Sequence, residues 1–426
     1  MTTPSLRTRL TVALAATTRF GSGILMGTGL AYYIGASGGS NFAVGMVQTA
    51  YWFGLMLFAP FWGAVADVTG RRRAVLVATG GGATLAAVPL VVFDPGPWSA
   101  IGLRGLYSAF AAGFSPVMLA LASSAGGNDK RGRELGFFNS ARSAGFTGGQ
   151  LLVGYVVGSY LPTTLYVLVV VTSLVSTLAV TRLAGSDAAT GERVGTGSNT
   201  PVRDVLTEVR SRILPAAEDR AHLQTNGLRW LYVALAMRNA TVLGVLALMP
   251  VYLPQQLGVS EFQMGLLLAL NSGGQVGFMY VFGRAADAFG RKLLITMGMA
   301  GSAGFAVVAA GASLPTTLDG RLVVAAGGFV LLAASFSAMT TGSLAFIGDV
   351  APDARESELM GLRSTAKGVG GVLGPTLVGG IASLLGTGAA FAVASVLAVA
   401  ATALVGVALV ESFDVNDPVT VAAGDD

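Results

Sequence analysis

Twelve runs of about 20 predominantly apolar residues follow one another along the chain, and a helix of that length is what crosses a hydrocarbon core about 30 Å thick. They lie near 11–35, 42–66, 74–93, 98–122, 135–157, 163–184, 229–253, 262–284, 292–313, 321–347, 361–384 and 388–410. Composition agrees. The 426 residues are 53% hydrophobic and 11% charged, with a mean hydropathy of +0.68, whereas a soluble domain is about 25% charged. An ordinary cytosolic enzyme, a disordered chain and a nucleic-acid-binding protein are thereby excluded. The 60 glycines suit close-packed membrane helices. With no cysteine and a single histidine, His222, neither disulfides nor thiolate or imidazole metal sites are expected. No metal and no cofactor enter the reading. Span 1 is too long for a signal peptide and lacks a small-residue cleavage site.

Charge between the spans sets the expected orientation. Arg7 and Arg9, Arg71 to Arg73, Lys130 to Arg133, the central arginines, Arg291 with Lys292, and Arg355 all fall in alternate segments, and the opposite loops are nearly bare. Basic residues gather on the cytoplasmic side, so both termini are expected in the cytoplasm. The pI near 9.5 is then a signal of topology. The longest polar stretch divides six spans from six, which suggests bundles at 1–184 and 229–411, a cytoplasmic linker at 185–228 and a tail at 412–426. Within the linker, apolar residues at helical spacing in Pro201–Arg220 predict a short amphipathic helix.

An internal repeat carries the argument further. Gly63-Ala-Val-Ala-Asp67-Val-Thr-Gly70-Arg71-Arg72-Arg73 returns 220 residues later as Gly283-Arg-Ala-Ala-Asp287-Ala-Phe-Gly290-Arg291-Lys292. Gly136, Arg142, Gly145, Gly149 and Gly154 precede Gly361, Lys367, Gly370, Gly374 and Gly379 by 225 residues. Arg19 and Tyr33 precede Arg238 and Tyr252 by 219. Two homologous six-span halves meeting at the midplane are an architecture of secondary transporters.

The Gly63–Arg73 segment resembles the signature loop between spans 2 and 3 of the major facilitator superfamily, and Gly283–Lys292 resembles its echo. Arg104 resembles the superfamily's span-4 arginine. Gly374-Pro375 with Gly379 and Gly380 is similar to its antiporter motif, with one extra residue and in span 11, whereas span 5 has Gly149-Gln150 and Gly154 without the proline. The resemblance implies an all-α membrane protein of twelve helices in two pseudo-symmetric six-helix bundles. It also implies gating residues Gly63, Asp67, Gly70, Arg71, Gly283, Asp287, Gly290 and Arg291. Asp67 would face the start of span 11 near Gly361, and Asp287 the start of span 5 near Gly136, because a helix N-terminus offers unpaired N–H groups and partial positive charge. Arg71 and Arg291 could pair with Glu134 and Glu358. Such contacts form only with the cytoplasmic side closed.

Charges inside the spans are the candidates for substrate binding, since each costs about 3 kcal/mol to insert. Arg19 and Arg238 lie about eight and nine residues into spans 1 and 7, roughly 12 Å deep at about 1.5 Å per residue. Arg142 and Lys367 are six or seven residues into spans 5 and 11, and Arg104 lies in span 4. No carboxylate is found at comparable depth, so the cations call for an anion. Arg19, Arg142 and Lys367 could instead snorkel to the interface. Tyr107, Asn271 and Gln275 are added as candidate binding residues, with Tyr51, Trp52, Asn139 and Gln150 as further cavity walls. The arginine pair on spans 1 and 7 resembles the organophosphate exchanger branch, where such a pair holds a phosphate. The expectation is a monomeric secondary transporter in the cell membrane, without enzymatic activity, moving a small organic or inorganic anion by exchange or symport. The alternative is a proton-driven efflux carrier for drugs or lipids, with a wider and more apolar cavity.

Overall fold

The computed structural model describes residues 6–93, 95–183, 221–352 and 355–412, without the side chains of 124–132, 221–222, 286–289 and 357. Among these residues there is no strand. Span 1 is Leu6–Ala36, span 2 Asn41–Thr69 and span 3 Arg72–Ala87, prolonged by Pro89–Val92. Span 4 runs over Pro97–Ser123. Span 5 occupies the later part of the helix Phe114–Ser159, and span 6 is Pro162–Thr181. Spans 7 to 12 are Leu228–Tyr252, Glu261–Phe289, Arg291–Gly311, Leu318–Val350, Glu356–Leu385 and Thr387–Ala408. This is the all-α, twelve-helix architecture that the apolar runs predict. The amphipathic segment Pro201–Arg220 and most of the linker lie outside the described residues.

Local chemistry fixes the helix ends. Ser40 Oγ accepts from Ala43 N at 3.2 Å, and Thr317 Oγ1 accepts from Gly320 N at 3.2 Å. Ser260 and Gln263 cap span 8 reciprocally, satisfying donors that the first helical turn leaves open. Span 2 stops at Gly70, whose φ of 64° a side chain would disfavour.

Packing distinguishes the two ends of the molecule. One contiguous core joins both halves, running from Leu25, Val44 and Val153 to Val245, Met264 and Val378. It lies at the end remote from the two motif loops. There Gly154 and Gly265 bring spans 5 and 8 together so closely that a Cβ built on Gly154 would stand 2.8 Å from the Gly265 Cα. Thr49 Oγ1 and Thr376 Oγ1 hydrogen-bond at 2.8 Å between spans 2 and 11, and Tyr32 donates to Glu261 Oε1 at 2.9 Å between spans 1 and 8. At the motif end each half keeps its own core. Ala15, Leu76, Phe138 and Val180 form one; Leu231, Ile295, Phe346 and Leu359 form the other. Cβ atoms built on Gly136, Gly283 and Gly361 meet nothing within 4 Å. The halves are therefore closed against each other at the remote end and apart at the motif end.

Candidate functional site

The motif loops come first. Asp67 is 52% exposed and stands 3.7 Å from Arg72 of its own half. Gly361 and Gly136, toward which the resemblance directs Asp67 and Asp287, are exposed. The Asp287 side chain lies outside the described residues. Glu134 is buried and paired with Arg9 of span 1, and Arg291 Nε lies 3.0 Å from Asp349 at the end of span 10. Arg9 reaches Glu134 because the first turns of span 1 pack on the start of span 5. Gly290 has φ 86° and leads directly into span 9. The first N–H groups of that helix, Arg291 N and Lys292 N, donate to the Glu411 carboxylate at 2.9 and 3.0 Å. Gly63 and Gly283 mediate no close helix approach here; a Cβ on Gly63 would be 3.6 Å from Pro116.

The intramembrane cations divide by what holds them. Arg19 is 4% exposed and held inside the N-terminal half. Its Nη1 donates to Ser173 Oγ at 2.8 Å and its Nη2 to Thr177 Oγ1 at 3.2 Å. Both hydroxyls belong to span 6, one turn apart. Phe114 stands 5.8 Å from the guanidinium. This guanidinium joins span 1 to span 6. Ser173→Ala removes the nearest acceptor and leaves a buried charged donor short, which should cost about 1.5–3 kcal/mol of stability. Thermal unfolding of the purified protein checks it; an unchanged midpoint would mean Arg19 contributes nothing to packing.

Arg104 is 2% exposed. Its guanidinium lies 4.7 Å from the Tyr51 ring and 5.7 Å from the Tyr107 ring, a cation–π setting. It presses on Gly27 of span 1, where a Cβ would stand 2.9 Å from Nη2. Its Nε and Nη1 are buried without a hydrogen-bond partner. The Tyr107 hydroxyl donates to Ser22 Oγ at 2.8 Å, which fixes the ring beside Arg104. Tyr51 lies within Coulombic reach of both Arg104 and Arg142. Arg142 is flanked by Phe20 and Phe146 at 5.8 and 5.6 Å.

In the other half, Arg238 is 1% exposed. Its Nε donates to Ser302 Oγ at 2.8 Å, its Nη1 to Asn239 Oδ1 at 3.5 Å, and its Nη2 is buried and unpartnered. Phe336 of span 10 stands 5.6 Å from Arg238 and 5.7 Å from the Lys367 ammonium. Lys367 is within Coulombic reach of Arg363, Arg238 and, across the gap between the halves, Arg142. Thus Arg142, Arg238 and Lys367 are brought together, with Tyr51 linking Arg142 to Arg104. Arg19 is held apart from them by its hydroxyl partners. Asn271 and Gln275 form a pair on span 8, Gln275 Nε2 donating to Asn271 Oδ1 at 3.1 Å. Arg363 was not among the sequence candidates. It is 8% exposed, donates from Nε to Ser343 Oγ at 3.1 Å and leaves Nη2 buried and unpartnered. The missed signal was its spacing: Arg363 and Lys367 are four apart and share one face of span 11. Among the described residues no group of acids and imidazoles could hold a metal ion.

A family model described as Major Facilitator Superfamily matches residues 10–256 and again 230–421. A triacylglyceride transporter of Mycolicibacterium hassiacum is 36% identical over 102 residues, which are 24% of this chain. The match spans only 18% of that protein's length. Among solved structures, a variant of the nucleoside transporter NupG superposes with a TM-score of 0.73 at 11% identity, covering 94% of this chain and 99% of its own. A D-xylose–proton symporter superposes with a TM-score of 0.72 at 15% identity, covering 95% and 98%. At these identities the likeness is one of fold.

Proposed function

Because the chain belongs to the major facilitator superfamily, whose fold it shares with solved transporters, we propose that this membrane transporter carries a small organic or inorganic anion by alternating access. One observation carries the reading. Arg104, Arg142, Arg238, Arg363 and Lys367 lie within the spans, and among the described residues no carboxylate is one of the groups that act on them. Cations desolvated without counter-charges are costly, and a bound anion offsets that cost. Guanidinium forks suit oxyanions because they donate paired hydrogen bonds.

The loop charges support a cytoplasmic motif end, so the arrangement described above reads as inward-open. Closing that end would bring Asp67 to the start of span 11. Transport is then a rocking of the halves about the anion, by exchange or by symport, in a monomer of the cell membrane. The residues with the substrate are Arg104, Arg142, Arg238 and Lys367, with Tyr107, Asn271 and Gln275 at the walls. Arg19, from the same expectation, acts by holding span 1 against span 6.

The short match to a triacylglyceride transporter favours a second reading, lipid or drug efflux driven by a proton gradient. Reconstituted liposomes separate the two. Anions, phosphate esters, a cationic dye and a glycerolipid are offered with and without a pH gradient. The anion reading expects uptake of at least one anion, lost by about 10-fold or more in Arg238→Gln, the scale of one charge-assisted hydrogen bond. Movement of only the dye or the glycerolipid would replace it with the second reading.

A further inference from the structure

We infer that the C-terminal half contains a subsite for a doubly charged oxyanion, formed by Arg238, Arg363 and Lys367, so that the substrate bears at least two negative charges. The inference rests on the anion reading and narrows it. Three spans converge here. Arg238 comes from span 7, Arg363 and Lys367 from one face of span 11, and Phe336, Thr340 and Ser343 from one face of span 10.

The two arginines are prepared in the same way. In each, a serine hydroxyl on a neighbouring helix accepts from Nε: Ser302 for Arg238 at 2.8 Å and Ser343 for Arg363 at 3.1 Å. Each then leaves Nη2 buried with no partner. An anchored Nε fixes the plane of the guanidinium, and the unpartnered Nη2 can donate to a ligand. Thr340 Oγ1 on span 10 is also buried and unpartnered. Orphaned buried polar atoms are rare in folded proteins and each calls for a reason. The two guanidinium edges and this hydroxyl, on three helices that converge, would share one kind of partner, an acceptor-rich ligand.

Charge counting sets the ligand class. Arg238 and Arg363 act on each other, and Lys367 feels both. The two guanidinium groups alone carry two positive charges, so a monoanion leaves an excess of about +1 in a place shielded from water and a dianion offsets it, with Lys367 as a further donor. Arg142 of the other half adds to the excess. A phosphate monoester, near −2 at neutral pH, and a dicarboxylate both meet the requirement. Their common chemistry is two negative charges displayed on several oxygens.

Binding to the full-length purified carrier tests this with pairs that differ by one charge. The probes are methyl phosphate against dimethyl phosphate, and succinate against monomethyl succinate, at pH 8. In at least one pair the dianion should bind about 10-fold tighter or more. Arg363→Gln should remove that preference, weakening the dianion about 10-fold and the monoanion less than about 3-fold. Arg363→Lys, which keeps the charge, should retain the preference. If Arg363→Gln does not fold, the wild-type ratios decide alone. Monoanions bound as tightly as dianions in both pairs, or a preference unchanged in Arg363→Gln, would overturn the subsite and leave the anion reading in place. Binding of none of the four, with a neutral glycerolipid or cationic dye bound instead, would overturn both.

Discussion

Lys367→Glu should abolish anion transport, by about 100-fold or more, in a protein that is folded and somewhat more stable than the wild type. The substitution removes one cation from the cluster and places a carboxylate within reach of Arg142, Arg238 and Arg363, which all act on Lys367. That carboxylate takes the role assigned to the substrate. A hydrogen bond to a charged group contributes about 1.5–3 kcal/mol, and here it forms where cations otherwise face one another without relief. A new bond to Arg142 would also join span 11 to span 5 across the gap at the motif end. Uptake into liposomes measures the loss, and thermal unfolding measures the gain. Anion uptake at the wild-type rate would show that Lys367 is remote from the substrate.

The second large effect is conformational. Gly154→Leu should push the transporter out of the arrangement described here. A Cβ on Gly154 would meet Glu261 O at 2.7 Å and the Gly265 Cα at 2.8 Å, and these are backbone atoms that cannot rotate away. Overpacking costs about 1–3 kcal/mol, and it falls only on the state in which spans 5 and 8 touch. A bias of about 2 kcal/mol shifts a two-state ratio roughly 30-fold. Transport should fall by a comparable factor. The chain has no cysteine, so spin labels on introduced cysteine pairs report distances without background. Pairs spanning the remote end should lengthen by several ångströms and pairs at the motif end should shorten. Unchanged distances with unchanged transport would show that the contact is not part of the working cycle.

Most of the fold was legible because bilayer thickness dictates helix length, and the twelve apolar runs carry that length openly. The site was only partly legible. The offset of 219 residues equates Arg19 with Arg238 and correctly gives similar positions along two related helices. It says nothing of which neighbour supplies the partner. Span 6 offers Ser173 and Thr177 to Arg19, which leaves its Nε unpartnered, whereas Arg238 bonds Ser302 of span 9 through Nε and its neighbour Asn239 through Nη1, which leaves Nη2 unpartnered. Arg363 escaped for a different reason. The apolar run of span 11 begins near residue 361, but the helix begins at Glu356, because polar residues continue a helix beyond the hydrocarbon. Arg363 is thus two turns into the helix and buried, where the run alone puts it at an edge. The Arg291 pairing was illegible because Asp349 approaches only when span 10 closes beside span 9, a matter of tertiary packing.

The cap on span 9 bears on how the chain is made. Its acceptor is Glu411, 120 residues downstream of Arg291. The same stretch ties back to the start of span 7 through Val410 N and Asn226 O at 3.1 Å, and Ser412 Oγ donates to Asp349 Oδ2 at 2.9 Å. During synthesis, domains generally complete from the N-terminus onward. The first half has all its parts once span 6 has emerged. The second must wait with two open N–H groups at the head of span 9 until the ribosome has passed residue 411. Val410, Glu411 and Ser412, just after span 12, act as a clasp, and the order of translation makes this clasp a late fastening of the half that holds the Arg238–Arg363–Lys367 cluster.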